Sequence, residues 1–142
     1  MADQDRFARA LLAVARGLGR IARERARAGD VTPQQAETLQ LIAERGALST
    51  STLETLLGID PSTASRNLSG LERAGLIARQ KGSDDGRQTD VRLTPRGRRA
   101  AQTVGSGAQA AFASLLDKVP RSERARVIEA LESLVKVLEQ TR

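Results

Sequence analysis

Between Asp60 and Ala74 the sequence sets Ser62, Ser65, Arg66, Ser69 and Arg73 at steps of three, one, three and four residues. On a helix these five side chains share one face. Each serine hydroxyl both donates and accepts hydrogen bonds, and each guanidinium offers a planar fork of donors. The face itself carries no carboxylate, because Glu72 lies at its flank. Such a surface can approach a polyanion closely and still pair with the edges of bases. Thr63 and Asn67 flank it, and two roles stay open for each: contact with a base, or a bond within the protein.

The elements that must hold this face are legible around it. Asp60 is placed to cap the helix, and Pro61 suits its first position, where no amide donor is needed. Ala64, Leu68 and Leu71 recur at four and three residues and form the opposite, apolar face. Upstream, Ser51 with Glu54 reads as a capping box for a short helix that turns Leu53, Leu56 and Leu57 inward and closes at Gly58. Two short helices joined by a tight glycine turn match a helix-turn-helix unit. The amide ends of the helices starting at Ser51 and Pro61 are candidate phosphate contacts.

After Ala74-Gly75, residues 76–81 read as a strand and 82–88 as a turn cluster. Thr89-Asp90-Val91-Arg92-Leu93 reads as a second strand, with Thr89, Val91 and Leu93 on one face. Thr94 then caps a new helix, with Pro95 at its first position. A helix-turn-helix followed by a hairpin is a winged helix. The wing carries Arg87 at its tip and Arg79 and Lys81 on its strand, the latter two as candidate phosphate contacts. Residues 66–99 hold nine basic and four acidic residues, a local +5, whereas residues 31–65 hold one basic and four acidic, a local −3. Positive charge is therefore concentrated around the polar helix face and the wing.

The flanks are helical. Phe7, Leu11, Val14, Leu18 and Ile21 step by four, three, four and three residues, a heptad-like seam on a helix running from Asp5 to about Ala28. Two readings stand: packing within its own domain, or a seam shared with a second subunit. Thr32, Pro33 and Gln35 start the next helix with a capping box, Ala36, Leu39, Ile42 and Ala43 form its buried face, and Gly46 ends it. Residues 47–49 suit a very short strand. The helix after Thr94 turns Val104, Ala108, Ala111, Phe112, Leu115 and Val119 inward. Gly105 and Gly107 imply a bend or a close helix contact there, and Pro120 breaks the helix. Ser122 is placed to cap a last helix bearing Val127, Leu131, Leu134 and Leu138. Apolar seams at both ends of the chain favour a homodimer, with Phe7, Leu11, Val14, Leu18, Val127, Leu131, Leu134 and Leu138 at the interface. The expected fold is mostly α with a small β-hairpin wing. It forms one continuous domain: a winged helix-turn-helix over 31–97 and a helical dimerisation region made of 1–30 and 98–142.

Composition narrows the chemistry. The 142 residues include no His and no Cys. Disulfides, thiolate sites, the usual zinc sites and the serine–histidine nucleophile pair are thereby excluded. No acidic pair or glycine-rich phosphate loop stands at a useful spacing, so no enzyme, cofactor or metal site is expected. The formal charge is +6, and 20 of the 23 basic residues are Arg. Arginine suits bidentate contact with phosphate or guanine, although a compositional bias of the source genome gives the same excess. No 18-residue apolar run occurs and the N-terminus lacks a signal-peptide core, so a cytoplasmic location is expected.

The stretches Leu53 to Gly58, Asp60 to Arg66, Leu71 to Ile77, Asp85-Gly86-Arg87 and Val91 to Gly97 together resemble the MarR family of bacterial transcription regulators. The Asp-x-Arg wing followed by Val-x-Leu-Thr-x-x-Gly is the specific part of the likeness. The resemblance implies a homodimer held by N- and C-terminal helices on a near-palindromic operator in double-stranded DNA, acting as a repressor. It further implies that Arg87 enters the minor groove, that the Ser62–Arg73 face lies in the major groove, and that a small effector, often aromatic or anionic, releases the DNA. Gly86 departs from the bulkier residue of many relatives, and with only Phe7 and Phe112 an aromatic-lined effector pocket is not expected. A salt bridge to Asp85 that shapes the turn is a second role for Arg87. The rival class is a winged helix used for protein–protein contact, which a basic wing and a carboxylate-free outer face do not favour. An RNA-binding role lacks the aromatic stacking residues that single strands require.

Arg87→Ala is expected to weaken DNA binding and to flatten its dependence on salt, since each neutralised phosphate steepens that slope. Titration at several salt concentrations measures it, and a wild-type slope would rule out the groove contact.

Overall fold

The computed structural model describes residues 1–81 and 89–141. Among them lie helices α1 (Ala2–Ala28), α2 (Pro33–Arg45), α3 (Thr50–Leu57), α4 (Pro61–Arg73), α5 (Pro95–Lys118) and α6 (Arg121–Gln140), and strands β1 (Leu48–Ser49), β2 (Ile77–Lys81) and β3 (Thr89–Leu93). The fold is the mostly helical winged helix-turn-helix that the sequence implies. The chain forms two compact units, Met1–Ala108 and Gln109–Arg142.

In the first unit the strands make an antiparallel sheet in the order β1-β3-β2. Leu48 pairs with Val91, and β2 pairs along β3 from Ile77↔Leu93 to Lys81↔Thr89. Leu39 and Ile42 of α2, Leu53 of α3, Leu68 and Leu71 of α4, Leu76, Ile77, Val91, Leu93 and Ala101 make one core cluster. Ala26, Ala36 and Val104 make a second, smaller one. The stripe read along the central helix is the one that is buried: Ala64, Leu68 and Leu71 are each at most 1% exposed.

Local signals decide most of the ends. Thr32 caps α2 in a full capping box with Gln35, and α2 stops at Gly46. Gly58 ends α3 at φ 65° and ψ 36°, a left-handed turn that glycine enters without Cβ strain. Several expectations are corrected, among them that Phe112 and Leu115 of α5 face inward, since both are exposed. The cap of α3 is Ser49, whose hydroxyl accepts from the amide of Thr52, so Ser51 lies inside the first turn. Ser49 is already extended, and its oxygen therefore faces the free amides. α6 begins at Arg121 after Pro120, with Ser122 in its first turn and no side-chain cap. Ala43, in the last turn of α2, is exposed, and Thr38 is buried beside Ala36, Leu39 and Ile42. β2 starts at Ile77, since the amide of Leu76 is taken by the Leu71 carbonyl at the end of α4. The glycines of α5 mark close contact and no break. The helix runs unbroken, with the side chain of Gln40 against Gly105 and that of Arg25 near Gly107.

The junction of α4, β2 and α5 is closely tied. The Thr94 amide donates to the Leu76 carbonyl. The Thr94 hydroxyl donates to the Gly75 carbonyl at 2.6 Å and accepts from the Gly97 amide at 3.1 Å. A Cβ on Gly97 would lie 1.9 Å from the Leu76 carbonyl oxygen. Gly97→Ala is therefore expected to cost about 3 kcal/mol, as backbone must move to admit it. Gly105→Ala meets only the end of the Gln40 side chain and gains helix propensity, so its effect stays within about 1 kcal/mol. Denaturant unfolding of both variants measures the contrast; equal losses would contradict it.

Candidate nucleic-acid interface

α4 presents its polar face because its apolar face has no alternative place. Ser62, Ser65, Arg66 and Arg73 are exposed, while Thr63, Asn67 and Ser69 are half-buried at its edges. The N-terminal end is built around Asp60. Its carboxylate accepts from the Thr63 amide at 2.9 Å, the Ser62 hydroxyl at 2.6 Å and the Thr63 hydroxyl at 2.9 Å. The Ser62 hydroxyl, then the Thr63 amide and hydroxyl, stabilise the charged form, and its pKa falls from the usual 3.8 to about 2. Ser62 and Thr63 thus keep their lone pairs outward but direct their protons to Asp60.

The two edges of α4 are tied to the body. On one side Asn67 Nδ2 donates to the hydroxyl of Thr38 in α2 at 2.8 Å. On the other, Arg79 of β2 donates through a terminal nitrogen to the Ser69 hydroxyl at 3.0 Å, and its Nε lies 3.5 Å from the Glu72 carboxylate. Of the two roles left open for Thr63 and Asn67, the structure displays the bond within the protein. Arg79, read from sequence as facing phosphate, is bonded to α4 itself. Thr38 and Glu72 had no part in the expected site. Thr38 gave one weak signal, a hydroxyl within a helix that can bond the carbonyl four residues back.

Ser51 is exposed in the first turn of α3, its hydroxyl 3.3 Å from that of Ser49. Lys81 is exposed at the end of β2. Arg87 and the rest of 82–88 lie outside the described residues. Of the seam residues in the first unit, Phe7, Leu11, Val14 and Leu18 are exposed, Phe7 to 53%. In the second unit Val127, Leu131 and Leu138 are exposed, Leu138 to 64%, and Leu134 is half-buried. An open cavity of about 380 Å³ lies in the first unit, lined by Arg23, Arg27, Asp30, Val31, Thr32, Pro33 and Gln35. Among the described residues no group of three or more His, Cys, Asp or Glu could hold a metal ion, and no helix is long and apolar enough to cross a membrane.

Residues 31–89, which include α2, β1, α3, α4 and β2 and end at the first residue of β3, match the model of the MarR family. The winged-helix region is similar to that family. The chain is similar to YdgJ of Bacillus subtilis (strain 168), described as an uncharacterized HTH-type transcriptional regulator, with 29% identity over 71% of this chain. It spans 62% of the length of that relative. It is also similar to the crystal structure of RV1404 from Mycobacterium tuberculosis, with 29% identity, a TM-score of 0.77 and coverage of 93% of this chain and 92% of the other. The structure of Streptococcus pneumoniae FabT in complex with DNA shares the fold at 22% identity, with a TM-score of 0.86 and coverage of 98% and 99%.

In this domain the start of α4 carries a pH dependence. The Asp60 cap is held below its unfolded pKa, so its stabilisation is fully present above about pH 3.8 and fades as the pH falls through about 2. Asp60→Ala should lower the melting temperature at pH 7, and the gap from wild type should narrow between pH 4 and pH 2. Melting curves over that range decide; a gap independent of pH would show that the carboxylate charge does no capping.

Proposed function

We propose that this MarR family protein is a transcription regulator that binds double-stranded DNA as a homodimer on a near-palindromic operator, and that it acts as a repressor. The observation that carries this reading is the division of α4. Its apolar stripe is buried, and Ser62, Ser65, Arg66 and Arg73 stand exposed beside a basic strand. Arg66 would read a base edge, with guanine its best match. Ser62, Ser65 and Arg73 lie around it. The starts of α3 and α4, with Ser51 and Lys81, would contact phosphate. Arg87 would enter the minor groove and read its width. The likeness to the fold of FabT, a protein solved in complex with DNA, is consistent with this role.

The dimer reading draws on the exposed apolar side chains of α1 and α6, an amount of apolar surface that a second copy would cover. An effector that releases DNA would suit the cavity at Arg23 and Arg27, whose two guanidinium groups favour a small anion. No enzymatic role is proposed.

Selection of bound duplexes from random DNA tests the function. The wild type should return inverted half-sites whose centres lie about 10 base pairs, or a multiple of that, apart. Arg66→Ala should lose about 1–3 kcal/mol and relax preference at one base pair per half-site. Recovery of no common sequence by the wild type would overturn the reading. An unchanged preference in the variant would remove Arg66 from base recognition.

A further inference from the structure

Among the described residues Thr38 is the only buried polar or charged side chain, at 0% exposure. Packing does not require its hydroxyl, since valine would fill nearly the same volume. The hydroxyl has one proton, and it donates that proton to the Gln34 carbonyl at 2.8 Å, one turn back in α2. Only lone pairs are then left to face α4. Asn67 must answer with its amide nitrogen, and it does so at 2.8 Å. The Thr38–Gln34 bond therefore fixes which end of the Asn67 amide points inward. It also ties one turn of α4 to α2, and Arg66 is the next residue on that turn.

This tie controls something the apolar contacts control poorly. Leu68 and Leu71 fix how deep α4 sits, but burial has little directional preference. A hydrogen bond is directional, with a heavy-atom range of only about 0.5 Å. A roll of about 10° moves an atom about 6 Å from a helix axis by about 1 Å. That is enough to carry a guanidinium fork out of register with one base pair.

We propose that Thr38 is a specificity-determining positioning residue: acting through Asn67, it sets the roll of α4 and hence the base pair that Arg66 addresses. The proposal rests on the DNA-reading role of α4. Selection from random duplex DNA, done with the full chain and paired with thermal unfolding, tests it. The variants are T38S, T38V, N67A and the T38V/N67A pair. T38S, which keeps the hydroxyl, should return the wild-type sequence. T38V and N67A should still unfold cooperatively and bind with the wild-type salt dependence. Each should lose at least about fivefold of discrimination at one base pair per half-site. The double variant should lose no more than either single one, because both break the same tie. T38A replaces T38V if the latter does not unfold cooperatively. Wild-type discrimination in T38V, or in T38A where it stands in, or losses that add in the double variant, would overturn the inference. Failure of the wild type to select any sequence would instead sink the DNA reading beneath it.

Discussion

The short helix α4 exists because its apolar stripe is buried, and the presentation of every exposed polar side chain on it follows from that burial. Thirteen residues of helix span about 20 Å and are marginal alone in water. Leu68 and Leu71, each worth roughly 1.5–3 kcal/mol when buried, supply what the local sequence lacks. Their partners come from α2, α3, β2 and β3, so the small sheet and two helices serve one task, which is to seat α4. The polar face then has no freedom of assignment: with the stripe inward, Ser62, Ser65, Arg66 and Arg73 must face outward.

Seating is not aiming. The chain adds directional bonds at three places around α4. Asp60 fixes its start through Ser62 and Thr63, Asn67 ties one edge to Thr38, and Arg79 ties the other edge through Ser69 and Glu72. The exit is clamped by Thr94, which bonds Gly75 and Gly97 together while its amide holds the Leu76 carbonyl. That clamp joins the end of α4 to the start of α5 with no room for a side chain at position 97. A rigid mount of this kind suits a surface whose use depends on placement to within a fraction of an ångström.

Most of the fold was legible because it is written in local signals. The Thr32–Gln35 box, the Asp60 cap, the Gly58 turn and the alternation in β3 each act over a few residues and need no tertiary context. The errors fall where neighbouring residues of the same type compete. Ser49 and Ser51 can each cap a helix, and the backbone angles decide, with Ser49 extended and Ser51 helical. At α6 the cause differs: Pro120 sits at the N-cap position without a side-chain bond, and Ser122 falls inside the first turn. Thr38 is buried beyond the expected stripe because α2 packs against more than one neighbour, so its buried side is broader than a single stripe. The polar residues of the site were legible as a face, but their partners were not. Thr38 and Asn67 stand 29 residues apart, and no spacing rule connects a threonine in one helix with an asparagine in another.

The charges follow the same division between local and tertiary causes. Asp60 and Glu72 are the carboxylates of α4 and its cap, and either would oppose a polyanion. Asp60 is ionised and surrounded by donors at the positive end of the helix dipole, where a negative charge is best tolerated. Glu72 faces the Arg79 guanidinium on the neighbouring strand. Both negative charges thus have donors or a cation beside them before any ligand arrives, whereas Arg66 and Arg73 point to solvent. On the proposed reading, affinity and selectivity then depend on different residues. Exposed arginines neutralise phosphate whatever the sequence, while the half-buried polar ties decide where one of those arginines meets the bases. A protein built this way can change the sequence it prefers through a buried residue that never touches DNA, with its salt-dependent affinity left intact.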